Sequence, residues 1–186
     1  MSVLSRFLNR MPPARGLVIE PMRRKDVAAI QVIERQVYPL PWSPTVFNNE
    51  IEMARQDQRY YICAFRAGQL LGYAGMMLVA DEGHITNVAV DPNRQREGVG
   101  RRMLADLAWE ARRRRCEGLT LEVRISNSAA QALYHQFGFE PAGIRQRYYE
   151  NVEDAIVMWC HGIGTAAYAA RLQQLSPEST PRAVQR

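Results

Sequence analysis

Between a β-prone run, GHITNVAV (83–90), and a long amphipathic segment from Val99 to Arg115, the chain places DPNRQREGVGRRM (91–103). Asp91-Pro92 closes the run, and Gly98 and Gly100 stand at the mouth of the helical segment. A helix N-terminus carries unpaired backbone N–H groups and the positive end of the macrodipole, so anions settle there. Glycines let the backbone approach a ligand with no Cβ in the way. The same pair also makes an ordinary turn before a helix, so the loop alone fixes neither ligand nor function.

Two nucleotide-binding patterns fail on detail. A P-loop requires lysine and then serine or threonine after its last glycine, and arginines follow Gly100. A dinucleotide fingerprint requires a third glycine where Met103 stands, and a glycine turn directly after the strand rather than beyond Asp91–Glu97.

At 186 residues the chain has room for one domain with a single buried core. Its net charge is +5, and Lys25 is its one lysine, so the cations are arginines, suited to carboxylates and phosphates. Cys63, Cys116 and Cys160 are widely spaced with no CxxC pair, and His84, His135 and His161 are equally scattered. Neither a disulfide framework nor a metal site is expected from that pattern. No apolar run approaches the roughly 20 residues that span a bilayer. MSVLSRFLNR is too short and interrupted for a secretory signal. A cytoplasmic protein with no membrane contact is expected.

Residues 1–16 end in the breaker string MPPARG and read as a disordered lead-in. LVIEPM (17–22) reads as a strand, and Val27, Ile30, Ile33 and Val37 recur at helical spacing. Ser43 before Pro44 is an N-cap and first-turn pair for a second helix to about Arg55. Two aromatic-rich runs joined across Ala67-Gly68-Gln69 form a hairpin. After the 83–90 strand, the helix from Val99 has one apolar stripe: Met103, Leu104, Leu107, Ala108 and Ala111. LTLEVRI (119–125) alternates as a strand, and Ser126 or Asn127 caps a helix to about Phe137, ended by Gly138. FEPAGIRQRYY and EDAIVMWC read as a final antiparallel pair. The order β-αα-β-β-β-α-β-α-β-β predicts an α/β fold, one mostly antiparallel twisted sheet flanked by helices over residues 17–160. The tail, 161–186, has a helical patch at Tyr168, Leu172 and Leu175 and then a disordered end.

The order strand, Q-x-x-G-x-G (Gln95 to Gly100), helix resembles the GCN5-related N-acetyltransferase (GNAT) superfamily. NVAVDPNRQREGVGRRML, LEVRISNSAAQALYHQFGFE and RYYENVEDAIVMW follow one another much as in its RimI-like members, and YPLPWSPTVF is similar to their proline-tryptophan loop. The resemblance covers residues 17–160 and implies the GNAT fold. It also implies acetyl-CoA as cofactor and transfer of acetyl to the N-terminal alanine of a small-subunit ribosomal protein. The partner it implies is that protein's N-terminal peptide; no direct nucleic-acid binding is expected, and the chain would be a monomer or weak dimer.

Residue by residue, the resemblance places the acetyl and pantetheine portions along the backbone of Val88, Ala89 and Val90. It places the pyrophosphate on the main chain of Arg96, Glu97, Gly98, Val99, Gly100 and Arg101, with the Arg96 and Arg101 side chains at the rim. Glu122 matches the general base, Tyr134 the general acid for the departing thiolate, and Asn127 a cofactor contact. The residues themselves also admit plainer roles. Glu122 shares a strand face with Arg124, which alone suggests an exposed ion pair. Asn127 suits an N-cap, and Tyr134 a core position. Tyr148, Tyr149 and the PLPWS loop would flank the acceptor peptide. Arg112–Arg115 reads as a basic helix C-terminus favoured by the dipole. Other acceptors with the same cofactor remain open at this point: another protein N-terminus, a lysine or a small amine. So does a non-catalytic acyl-CoA or RNA-associated role, against which an acid and a base so placed both weigh.

Overall fold

The computed structural model describes residues 16–179. The lead-in expected over residues 1–16 lies, Gly16 apart, outside the described residues, as does the chain from Thr180 on. The element order is β1 (Val18–Pro21), α1 (Val27–Val37), α2 (Pro44–Ala54), β2 (Arg59–Arg66), β3 (Gln69–Val79) and β4 (Glu82–Val90). It continues with α3 (Val99–Arg113), β5 (Gly118–Arg124), α4 (Ser128–Gln136), β6 (Glu140–Tyr149), β7 (Glu153–His161) and α5 (Ala166–Leu175).

The strands form one mixed, mostly antiparallel open sheet in the order β1-β2-β3-β4-β5-β7-β6. β1 pairs antiparallel with β2, Val18 opposite Phe65 and Pro21 opposite Ile62. β4 and β5 run parallel, Glu82 opposite Gly118 and Ile85 opposite Leu121. Parallel neighbours need a crossover longer than a hairpin, and α3 supplies it. β7 lies antiparallel to both β5 and β6. Among the described residues no helix is long and apolar enough to cross a membrane.

Two compact units share this chain. The first comprises residues up to Gly75 together with Asn87–Leu104. Its core gathers Ile30 and Ile33 of α1, Phe47 and Ile51 of α2, Tyr61 and Cys63 of β2, Tyr73 of β3 and Ala89 of β4. The Ser43 hydroxyl caps α2 by accepting from Val46 N, and Pro44 follows it into the first turn. Phe47 meets Tyr73 edge-on with ring centroids 5.5 Å apart. Gly72 is required by closeness: a Cβ there would lie 2.6 Å from the Ala89 carbonyl oxygen.

The second unit comprises Met76–Thr86 and the chain from Ala105. Leu107, Ala108 and Ala111 of α3, Leu119, Leu121 and Val123 of β5, and Phe137 and Phe139 are all buried. A Cβ at Gly83 would come within 2.7 Å of both Leu119 Cδ2 and Met76 Sδ, so a side chain there would require those two to shift. Tyr168, Leu172 and Leu175 form the buried side of α5. Three arginines of the 112–115 run find partners nearby. Arg112 donates to the carbonyls of Ile163 and Thr165, and Arg113 and Arg114 both pair with Glu110. Cys63, Cys116 and Cys160 are free and buried.

Candidate active site

β4 ends at Val90, and the Asp91 amide donates to the Leu71 carbonyl at 2.8 Å, fixing where the strand stops. The Asp91 carboxylate accepts from Asn93 N at 2.9 Å, closing a short 3-10 turn over Pro92–Arg94. The chain then takes two left-handed residues, Arg96 (φ 63°) and Gly98 (φ 82°), before α3 begins at Val99. Such turns aim successive N–H groups at one point, and the helix start adds its own. The Glu97 side chain pairs with Arg66, and Arg94 stands 3.8 Å from its other oxygen. Arg96 is exposed, and Arg101, expected beside it at the rim, is 7% exposed. Burial alternates along β4, with Ala89 buried and Val88 and Val90 half-buried.

In the second unit the residues gather on Glu122, which β5 holds opposite Val157 of β7. Its side chain is 6% exposed. Oε2 lies 3.1 Å from His84 Nε2, and Oε1 lies 3.2 Å from Arg145 Nη2. The Tyr149 hydroxyl donates to the Glu122 carbonyl at 3.1 Å. The exposed Glu122–Arg124 pair suggested by strand alternation does not form. Arg124 instead bonds Glu150 at 2.6 Å and Glu153 at 2.9 Å, with its guanidinium 4.1 Å over the Tyr149 ring. The cause is the β6–β7 turn. Glu150 and Asn151 both take positive φ there, and the turn brings two carboxylates to Arg124. Arg145 in turn sits 5.4 Å over the Tyr148 ring.

The hydrogen bond from His84 is the largest influence on the Glu122 carboxyl, and with the Arg145 charge it outweighs burial and holds the group below the usual carboxylate range. Glu122 is therefore ionised at neutral pH. Tyr134 is buried in α4, its ring 5.9 Å from Phe139. Burial pushes its phenol up to about 12, so it keeps its proton at neutral pH and can donate it. The Asn127 side chain accepts from Ala130 N at 3.1 Å and is the N-cap of α4.

Sequence reasoning passed over His84 and Arg145. The signal for His84 was present, because a strand–helix–strand run makes β4 and β5 parallel neighbours, and this brings 84 to the level of 120. No comparable signal existed for Arg145, which reaches Glu122 from β6, a strand separated from β5 by β7.

With strand, turn, helix and ionised carboxylate in place, the class follows. The chain belongs to the Acetyltransferase (GNAT) family, whose pattern residues 27–139 match. Enzymes of this family use acetyl-CoA. The chain is 38% identical over 144 residues to the [Ribosomal protein bS18]-alanine N-acetyltransferase of Escherichia coli strain K12, covering 75% of this chain and 94% of that one. It is 36% identical over 140 residues to N-alpha-acetyltransferase RimI of Mycobacterium tuberculosis, covering 72% and 84%. The crystal structure of the Escherichia coli ribosomal-protein-S18-alanine N-acetyltransferase matches with a TM-score of 0.71 at 35% identity, covering 78% and 94%.

Proposed function

We propose that this chain transfers the acetyl group of acetyl-CoA to the α-amine of the N-terminal alanine of ribosomal protein bS18. The observation that carries the reading is Glu122: an ionised carboxylate, held from both sides, on the interior strand β5 of a chain 38% identical to an enzyme of that name.

The residues fit the cofactor. The left-handed turn at Arg96 and Gly98 and the first turn of α3 offer main-chain N–H groups to a pyrophosphate, from Arg96 through Glu97, Gly98, Val99 and Gly100 to Arg101. Val88, Ala89 and Val90 offer strand backbone to the pantetheine and acetyl portions. Asn127 stands as N-cap at the start of α4, a position compatible with a cofactor contact as well. Acetyl-CoA supplies the activated acetyl as a thioester. The chain's own work is to handle protons. Glu122 supplies the negative charge toward which the acceptor ammonium's proton is drawn, and an α-amine, with an ordinary pKa of about 7.7–8.0, gives that proton up far more readily than lysine at about 10.4. Tyr134 Oη holds the proton that the leaving sulfur requires.

Mass spectrometry of a peptide panel tests the reading: N-terminal Ala, Ser or Met, and a blocked N-terminus with an internal lysine. Acetylation of the alanine α-amine is expected. Acetylation confined to the internal lysine would overturn it.

A further inference from the structure

Both oxygens of Glu122 are engaged, one by His84 and one by Arg145, and the side chain is almost fully enclosed. A proton placed on this carboxylate would cancel the charge that both partners are paired with. His84 is differently situated. Its Nε2 faces Glu122 Oε2 at 3.1 Å, and the ring is 24% exposed. With the carboxylate accepting from Nε2–H, the neutral imidazole is fixed in one tautomer, and Nδ1 is left as the lone-pair nitrogen.

We propose that His84 Nδ1 takes the proton from the acceptor amine, and that Glu122 is the carboxylate that fixes its tautomer and balances the charge it gains. This rests on reading the chain as an amine acetyltransferase. The logic is that of a carboxylate behind an imidazole in hydrolase triads, where the carboxylate orients and stabilises without itself being protonated.

The protons balance. The acceptor enters as an ammonium with three N–H bonds and leaves as an amide with one. The first proton passes to His84 and on to solvent, freeing the nitrogen lone pair. That lone pair forms the C–N bond as the C–S bond breaks, and the nitrogen loses its second proton. Tyr134 gives its proton to the departing sulfur, and the second proton from nitrogen restores it. No oxidant or further reactant is needed.

Among the described residues, the further ion pair and hydrogen bond to Glu122 come from β6. Arg145 neutralises one Glu122 oxygen, the Tyr148 ring lies under that guanidinium, and the Tyr149 hydroxyl holds the Glu122 carbonyl. These groups keep Glu122 in place, which makes them positioning residues.

The test is the pH dependence of turnover in the full chain, using whichever peptide the wild type acetylates. His84→Gln can still donate to Glu122 but cannot accept the proton. It is expected to lower kcat about 100-fold at pH 7 and to convert the acid limb into a rate that keeps rising with pH, with acetyl-CoA affinity unchanged. Added imidazole should restore part of the rate of His84→Ala in a saturable way, a readout that a structural role would not move. A His84→Gln enzyme at the wild-type rate with the wild-type acid limb overturns the proposal while leaving the acetyltransferase reading intact. A wild type that acetylates only lysine overturns the alanine assignment instead, and the same His84 comparison is then read on the lysine peptide.

Discussion

The Glu34 carboxylate on α1 accepts the backbone N–H of Trp42 at 2.8 Å, at a position where the glutamate is 1% exposed. One turn earlier, Gln31 donates to the Trp42 carbonyl at 2.6 Å. Together they grip both sides of one residue of the proline-rich connection between α1 and α2, and Trp42 then packs on Phe47, 5.5 Å away. Burial raises the Glu34 carboxyl above its ordinary range, and its Oε2 has no hydrogen-bond partner.

Glu34→Gln should therefore separate the hydrogen bond from the charge. The amide oxygen can still accept from Trp42, and no buried charge remains. A carboxyl raised in the folded state favours folding below its unfolded pKa and loses that contribution as pH rises through the folded value. Relative to wild type, Glu34→Gln should gain stability as pH rises above the unfolded value of about 4.3. Glu34→Ala should lose about 1–3 kcal/mol by orphaning the Trp42 N–H. Urea midpoints across that pH range check both.

Glu122 carries the opposite sign. Its folded pKa is lowered, first by the His84 hydrogen bond. Its contribution is present above the unfolded value, about 4.3, and disappears as pH falls through the lower folded one. Wild type should lose stability relative to Glu122→Gln as pH falls below the unfolded value of about 4.3. Parallel melting curves for the two proteins would contradict the ion-pair geometry.

Tyr134→Phe keeps the ring against Phe139 and removes only the hydroxyl. Turnover should fall about 100-fold, with little change in acetyl-CoA affinity or melting temperature. Because the phenol titrates near 12, no alkaline fall in rate from this group should appear between pH 7 and 10. Full turnover in the variant would remove Tyr134 as the proton donor.

The fold was legible because its elements rest on local signals. Ser43-Pro44, the Met103–Ala111 stripe, Gly138 and the alternating strands each act within a few residues, and the structure shows α2, α3, α4 and β5 where those signals place them. The surroundings of Glu122 were legible only in part. Strand alternation correctly put Glu122 and Arg124 on one face but could not choose their partners. Those are set by strand neighbours brought in by topology, His84 from β4 and Arg145 from β6, and by the positive-φ turn at Glu150-Asn151.

Gly98→Asp tests the loop that first constrained the chain. Gly98 is buried with φ 82°, a region L side chains adopt at a cost of about 1 kcal/mol or more, so the substitution strains the turn. It also sets a carboxylate where main-chain N–H groups would meet a pyrophosphate, next to Glu97. Gly98→Ala carries the strain without the charge and is the control. Acetyl-CoA affinity by calorimetry should fall modestly for alanine and at least about tenfold further for aspartate, since one like charge near a phosphate is worth more than about 1.4 kcal/mol at partly buried distances. The excess should shrink as salt is raised, because screening acts on the charge and leaves the strain untouched. Equal affinities for the two variants at low salt would mean that the loop does not seat a phosphate.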